Sequence, residues 1–504
     1  MTAALMPTIE EKAVAAAPQR GARIRLLVPV PVLGRALATS IVVALLLAPA
    51  YADTSWWIGI GVAMTVFTIV HGAAAAYRTV WLPGVMGFSA CLQWVIAAWS
   101  DYSIPGRMAV PAEDYFRFAV PATFLFLLGL YWPVWKAKPR TAESSPPLGG
   151  STTARLDQFC RAMVVGGVIT RVAIVPLTPM SVRYAAFMLS MLAIVGALGL
   201  LLLGSPRWPL WVILAFAPVA YGNAADLQFL DSIQFTFCIA CVAVYRFRPS
   251  RTLLLLLAIP SLSLFLAISA FKAYSRDDMR KQEQSVSARA SETSTTLLQF
   301  ARQPSVLLGP TVLQRTIGRL NEGWITSRML AWMPIAEPYA GGETLIAGMR
   351  SAVLPRLFDP GKLVVGGKDI IPRFTGIELL GATSMGLSVP GEMYANFGYG
   401  GMLVGTFLYA LCIGLLYRVF LRRSYVSALW WAWAPFVLFS TLSPEQGFAE
   451  NANHIVKALV VMWAVVSFAA PWRRLPRAGA ARRVAPAPMA ASTVVAGAAD
   501  GASA

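Results

Sequence analysis

Tyr184-Ala-Ala-Phe-Met-Leu-Ser-Met-Leu-Ala-Ile-Val-Gly-Ala-Leu-Gly-Leu-Leu-Leu-Leu-Gly204 contains no charged residue. A helix rises about 1.5 Å per residue, so this stretch spans the roughly 30 Å hydrocarbon core of a bilayer. It is apolar on every face, whereas a soluble surface helix confines its apolar residues to one stripe. The stretch reads as a transmembrane helix, and comparable blocks recur along the chain. They lie at roughly 33–51, 56–76, 79–99, 116–135, 161–177, 184–204, 208–223, 227–246, 252–272, 391–417, 426–443 and 455–471. The blocks at 161–177 and 208–223 are short; the first carries Arg171 and the second is followed by Asn223 and Asp226, so a re-entrant course stays open for both. Only 13% of the chain is charged, against about 25% in soluble domains. The fold class is an all-α polytopic integral membrane protein of about twelve transmembrane helices.

Short loops rich in Lys and Arg mark the cytoplasmic side. Arg20, Arg23 and Arg25 precede the first block; Lys136, Lys138 and Arg140 follow the fourth; Arg246, Arg248 and Arg251 separate the eighth and ninth; Arg418, Arg422 and Arg423 follow the tenth; Arg473, Arg474, Arg477, Arg482 and Arg483 follow the last. With twelve spans every one of these clusters falls on one side. Both termini are then cytoplasmic, and the long segment 273–390 is a large loop on the opposite, periplasmic side. The chain thus divides into a cytoplasmic segment 1–29, spans one to nine over 30–272, the loop 273–390, spans ten to twelve over 391–472, and an Ala-rich cytoplasmic tail 473–504 whose composition suits disorder. Topology accounts for much of the formal charge of +18, and no nucleic-acid-binding motif accompanies it.

Cys91, Cys238, Cys241 and Cys412 lie inside apolar blocks and Cys160 beside one. They read as small apolar packing residues, Cys238-Ile-Ala-Cys241 included. No metal-ligand spacing, phosphate-binding glycine loop or nucleophile elbow is present, so the expectation is no cofactor and no metal.

Chemistry concentrates on the periplasmic side. After position 300 the loop carries Arg302, Arg315, Arg319, Arg328, Arg350, Arg356, Lys362, Lys368 and Arg373, partly balanced by Glu322, Glu337, Glu343, Asp359, Asp369 and Glu378. Solvated ion pairs explain any one of them. Together they suit anion recognition, because arginine presents a fixed donor fork that matches phosphate. In Thr311-Val-Leu-Gln-Arg-Thr-Ile-Gly-Arg-Leu320, Arg315 and Arg319 share one helical face, and in the Gly/Pro-rich stretch 341–391 helices should be short. A second cluster, Ser388-Val-Pro-Gly-Glu-Met-Tyr-Ala-Asn-Phe-Gly-Tyr-Gly-Gly401, opens span ten. Glu392 there is either a helix cap, favoured by the dipole, or a base; Gly398, Gly400 and Gly401 suit close helix packing. A third, Ser443-Pro-Glu-Gln-Gly-Phe-Ala-Glu-Asn-Ala-Asn-His454, brings Glu445, Glu450 and His454 to the same side. His454 is a proton carrier or a packing residue. Arg171, Asp226 and Asp231 are ionisable groups within or beside spans, functional candidates by default unless their ends are solvated.

Arg319-Leu-Asn-Glu-Gly323, Pro338-Tyr-Ala-Gly-Gly-Glu343, Leu354-Pro-Arg-Leu-Phe-Asp-Pro360 and Pro390-Gly-Glu-Met-Tyr-Ala-Asn-Phe-Gly398 together resemble the oligosaccharide repeat-unit polymerases, the Wzy-type O-antigen and exopolysaccharide polymerases. The resemblance covers about 320–420; elsewhere only the layout of spans and loop agrees. Phe358-Asp-Pro-Gly-Lys362 departs from the family's Trp-Pro-x-Lys-Pro-like run, which leaves Lys362 without a transferred role. The resemblance implies a GT-C-like membrane glycosyltransferase of the bacterial inner membrane that uses no nucleotide sugar and no metal. Donor and acceptor would be glycans on undecaprenyl diphosphate, and a polysaccharide co-polymerase that regulates chain length would be a partner. Arg315, Arg319, Arg350, Arg356 and Arg373 would stabilise the leaving diphosphate, Tyr394 and Asn396 would bind substrate, and Glu392, with His454 and Glu445 behind it, would serve as base. Two rivals remain at this point. A lipid-glycan ligase shares the layout and an outer arginine–histidine site. A polysaccharide transporter or flippase would show paired halves, and the nine-plus-three division shows none.

Overall fold

The computed structural model of the protein describes residues 27–104, 106–136, 150–226, 230–250, 252–254, 256, 295, 298, 302, 314, 317–354, 359, 367–379, 385–469 and 472. Regular structure among them is helical throughout. In chain order the helices that matter here are α1 (Val30–Leu46), α2 (Trp57–Ala76), α3 (Leu82–Asp101), α4 (Ala112–Tyr131), α5 (Gly150–Leu177), α6 (Val182–Leu203), α7 (Trp208–Asp226) and α8 (Leu230–Phe247). They continue with α9 (Gly323–Trp332), α10 (Glu343–Val353), α11 (Ile370–Thr375), α12 (Val389–Ser424) and α13 (Phe448–Phe468). Among the described residues seven helices, α2, α3, α5, α6, α8, α12 and α13, are long and apolar enough to cross a membrane. The chain is an α-helical membrane protein.

Those seven overlap predicted blocks, while α1, α4 and α7 lie on the blocks at 33–51, 116–135 and 208–223. Helix α5 is longer than its predicted block, reaching back to Gly150 and taking in the Asp157–Arg161 ion pair at 2.6 Å. The block at 252–272 lies outside the described residues, apart from 252–254 and 256. The block at 426–443 departs from expectation. It is a chain of short pieces, a 3-10 turn Ala428–Ala432, a helix Trp433–Val437 and a second 3-10 turn Ser440–Leu442. Its own Trp431, Trp433 and Phe439 are buried against Tyr245 and Tyr417, Trp472, and Phe235 respectively. Irregular backbone is tolerated at membrane depth only where protein rather than lipid surrounds it, and the aromatic shell supplies that surrounding.

Small residues set the helix spacing. A Cβ on Gly129 of α4 would lie 2.7 Å from the Phe407 carbonyl of α12, and one on Gly414 of α12 would lie 2.7 Å from the Leu130 carbonyl. Gly167 of α5 meets Ala193 of α6 in the same way, and Gly196 of α6 meets the Cys160 carbonyl. Backbones in contact gain dispersion that a bilayer, apolar on its own account, does not otherwise supply. The cysteines are free, with Cys91, Cys160 and Cys238 buried.

Described residues from 317 onward are tied to the end of α3 and the segment that follows it. Asn321 Nδ2 donates to Asp101 Oδ2 at 2.8 Å, where Arg107 also pairs at 2.9 Å. Ser327 Oγ accepts from the Ala109 N–H at 3.2 Å. Helices α9, α10 and α11 are short, as the Gly and Pro content requires.

Candidate functional site

The site forms where α12 begins. Ser388 Oγ accepts from the Gly391 N–H and Pro390 occupies the first turn, a start signal for a helix. After Phe397 the helix breaks. Gly398 adopts φ 70°, ψ −163°, a region that essentially only glycine enters. Its role is therefore conformational more than the packing role read from sequence. Just before the break, the N–H groups of Ala340 and Gly341 donate to the Ala395 and Asn396 carbonyls at 3.0 and 2.9 Å. The Gly342 N–H donates to Asn396 Oδ1 at 3.0 Å. Two motifs distant in sequence, Pro338–Glu343 and Pro390–Gly398, are thus locked together.

Behind this lock sits Glu392, 1% exposed. Thr344 Oγ1, on the first turn of α10, donates to Glu392 Oε1 at 2.9 Å. The Phe448 N–H donates to Oε2 at 2.7 Å. Asn396 Nδ2 donates to Thr344 Oγ1 at 2.7 Å and to the Glu392 carbonyl at 2.8 Å. A buried carboxylate without such donors would cost several kcal/mol even after relaxation, more than an unpaired neutral group. Phe448 opens α13, so the carboxylate meets that helix's positive end. The carboxylate thus accepts at the start of α13 rather than within the helix it begins.

Gly447 lies between two acids. A Cβ there would stand 2.8 Å from Glu392 Oε2 and 2.7 Å from Glu450 Oε2. The missing side chain lets the two carboxyls face each other. Thr344 and Gly447 were not legible as site residues; the only signal was that Thr344 directly follows Pro338-Tyr-Ala-Gly-Gly-Glu343.

The neighbouring residue of α10 reaches the other way. Glu343 is exposed and takes the Arg373 guanidinium of α11 at 3.0 Å, while Glu337 accepts from Arg373 Nε at 2.6 Å. One helical turn therefore holds a cation through residue 343 on its open side and a carboxylate through residue 344 on its buried side. Tyr394 borders this region, edge-on to Tyr339 at 5.7 Å and to Phe118 at 5.5 Å.

The remaining predicted residues divide. Glu445 faces Glu322 rather than Glu392; burial and then the opposing Glu445 carboxyl push Glu322 well above the usual carboxylate range. His454 is buried and looks elsewhere. Its Nε2 donates to the Phe436 carbonyl at 2.9 Å, and in the neutral ring Nδ1 accepts from the Tyr184 hydroxyl at 3.1 Å. The Lys457 ammonium lies 4.7 Å from the Tyr184 ring centroid. Arg350 pairs with Asp359 at 2.8 Å. Arg319 lies in the helical residues 317–320, whose Gly318 packs on Arg107. Arg315, Arg356 and Lys362 lie outside the described residues, as does the side chain of Asp226. Arg171 stacks on Phe187 at 5.1 Å, within electrostatic reach of Asp231.

No protein-family model, curated protein or solved structure matches this chain. The arrangement sets a buried carboxylate, Glu392, and an arginine held by two carboxylates, Arg373, against opposite sides of α10, beside the membrane-spanning bundle. Among the described residues no group of His, Cys, Asp and Glu is placed to hold a metal ion.

Proposed function

We propose that the protein is a membrane glycosyltransferase that polymerises lipid-diphosphate-linked oligosaccharide repeat units at the periplasmic face of the bacterial inner membrane. The observation that carries this reading is the first turn of α10, where Glu343 holds Arg373 and Thr344 holds Glu392. Glycosyl transfer from a lipid diphosphate needs those two groups. The acceptor hydroxyl oxygen attacks the anomeric carbon of the donor and loses its proton to the Glu392 carboxylate. The bond from that carbon to the diphosphate breaks, and polyprenyl diphosphate leaves with the bonding pair. Its charge is met by Arg373, whose fork exchanges the Glu337 and Glu343 carboxylates for phosphate oxygens. Glu450, facing Glu392 across Gly447, favours uptake of that proton by Glu392, because like charges disfavour two ionised carboxyls at close range; the proton passes to water once the products leave. The twelve-span topology, the cytoplasmic termini and the GT-C-like architecture belong to the same proposal.

The ligase rival assigns the chemistry to a histidine. In this fold both ring nitrogens of His454 are engaged by Tyr184 and Phe436, whereas the Glu392 oxygens, which accept from Thr344 and Phe448, keep lone pairs for a proton, which favours the carboxylate. A deletion strain separates the two. Loss of a polymerase leaves single repeat units on the lipid carrier or cell surface, whereas loss of a ligase accumulates long lipid-linked chains; the second pattern would overturn the proposal.

A further inference from the structure

A helix on a soluble surface turns its apolar stripe inward and its polar residues to water. Helix α10 does the reverse. Thr344, Gly348, Ser351 and Ala352 are its buried residues, and Gly348 sits against Ala449 of α13, where a Cβ would approach to 2.9 Å. Ile346, Met349 and Val353, spaced three and four residues apart on the opposite face, are 70%, 45% and 61% exposed. Small residues inside and large apolar residues outside are the pattern of a helix whose surroundings are hydrocarbon.

The surface it continues is that of a membrane-crossing helix. Val404, Leu408, Leu415 and Val419 form an exposed apolar stripe along α12. That stripe leads up to exposed Phe397, and Gly342, at the start of α10, lies against the Phe397 ring. Trp332, packed on Gly376 after α11, and Tyr339, packed on Gly398 of α12, are both exposed; tryptophan and tyrosine are enriched at the height where lipid meets water. Arg350, with its Asp359 partner, and Glu343, with Arg373, lie at the polar margin.

We propose that α10 is an interfacial helix embedded in the leaflet on the loop side of the membrane, with Ile346, Met349 and Val353 among phospholipid acyl chains. Its surface partner is the lipid hydrocarbon at the headgroup boundary. The consequence for the reaction rests on the function proposed above. A helix is about 10 Å across, so the Glu392 carboxylate held on its inner face lies about that far from acyl chains. A polyprenyl-anchored substrate then reaches the site sideways from the leaflet, without its tail leaving the membrane.

The test reads lipid contact directly and uses no activity, so the two readings fail separately. Spin labels are attached to Ile346→Cys, Met349→Cys and Val353→Cys, each in a full-length chain with the exposed Cys412 replaced by serine. The protein is held in nanodiscs of phosphatidylethanolamine and phosphatidylglycerol. All three sites are exposed, so the label meets no core, and Arg350→Cys serves as the polar-margin reference. Collisions with oxygen should dominate at 346, 349 and 353, and collisions with a water-soluble nickel chelate should dominate at 350. Chelate-dominated values at the three sites would place the face in water. Low values for both reagents would mean that protein, a second copy included, covers it. Either result overturns the proposal.

Discussion

Thr344→Val isolates the hydrogen bonds that hold α10 to α12. Valine keeps the shape of threonine and removes one hydroxyl, which here donates to Glu392 Oε1 and accepts from Asn396 Nδ2. A bond to a charged group contributes roughly 1.5–3 kcal/mol and a neutral one about 0.5–1.5. Asn396 keeps its bond to the Glu392 carbonyl, so its loss falls at the lower end. The sum is about 2–4 kcal/mol against the packed position of α10. At about 1.4 kcal/mol per tenfold change, the locally opened state rises by a factor of roughly 30 to several hundred. Amide hydrogen exchange of the full-length protein in nanodiscs reads that population in the backbone of α10. Thr344→Ser retains the hydroxyl and should exchange like the wild type. Wild-type exchange in α10 of Thr344→Val would refute the view that this hydroxyl ties the two motifs together.

Other perturbations probe separate parts of the site. Gly398→Ala forces a side chain into φ 70° with the Tyr339 ring 3.1 Å from the new Cβ; a cost of about 1–3 kcal/mol should lower the melting temperature and speed exchange at Ala340 and Gly341. Gly447→Ala has an ordinary backbone angle to adopt, so the protein should insert normally, while the Cβ wedged between Glu392 and Glu450 reduces polymer formation at least tenfold in membrane assays. Arg373→Gln should barely change stability, since partly exposed ion pairs contribute at most about 1 kcal/mol, yet slow polymerisation about a hundredfold if the guanidinium meets the leaving group; unchanged polymer length would remove that role. Glu322 opposite Glu445 has its pKa raised, so the folded state binds its proton more readily than the unfolded chain does. The stabilisation is full below the ordinary glutamate value of about 4.3 and is lost as pH rises through the folded value. Glu322→Gln should therefore raise the melting temperature at neutral and alkaline pH and flatten its fall with pH.

The membrane-spanning helices were legible because twenty apolar residues in a row admit few other readings, as in 184–204. The region 426–443 was not legible in the same way. Its apolar content suits a bilayer span and a buried aromatic core equally, and only the packing of Trp431, Trp433 and Phe436 separates them. At the site, Glu392 and Asn396 stood out because polar residues open an apolar block. Thr344 and Gly447 did not, because their importance lies in what approaches them from distant segments. Hydropathy says nothing of which acids will face each other, so Glu445 and His454 were grouped with Glu392 although the fold turns Glu445 towards Glu322 and His454 towards Tyr184.

The central claim is that the buried Glu392 carboxylate takes the acceptor's proton, and Glu392→Gln tests it most directly. Glutamine keeps the volume, still accepts from the Phe448 N–H through its amide oxygen and can donate to Thr344 Oγ1, so α13 stays capped. Polymer length is measured in a strain lacking the wild-type protein and complemented with the variant, with membrane level and α13 amide protection measured alongside. The account predicts single repeat units only, from a protein present at normal level with normal protection. Long-chain polymer of normal length from Glu392→Gln would contradict it.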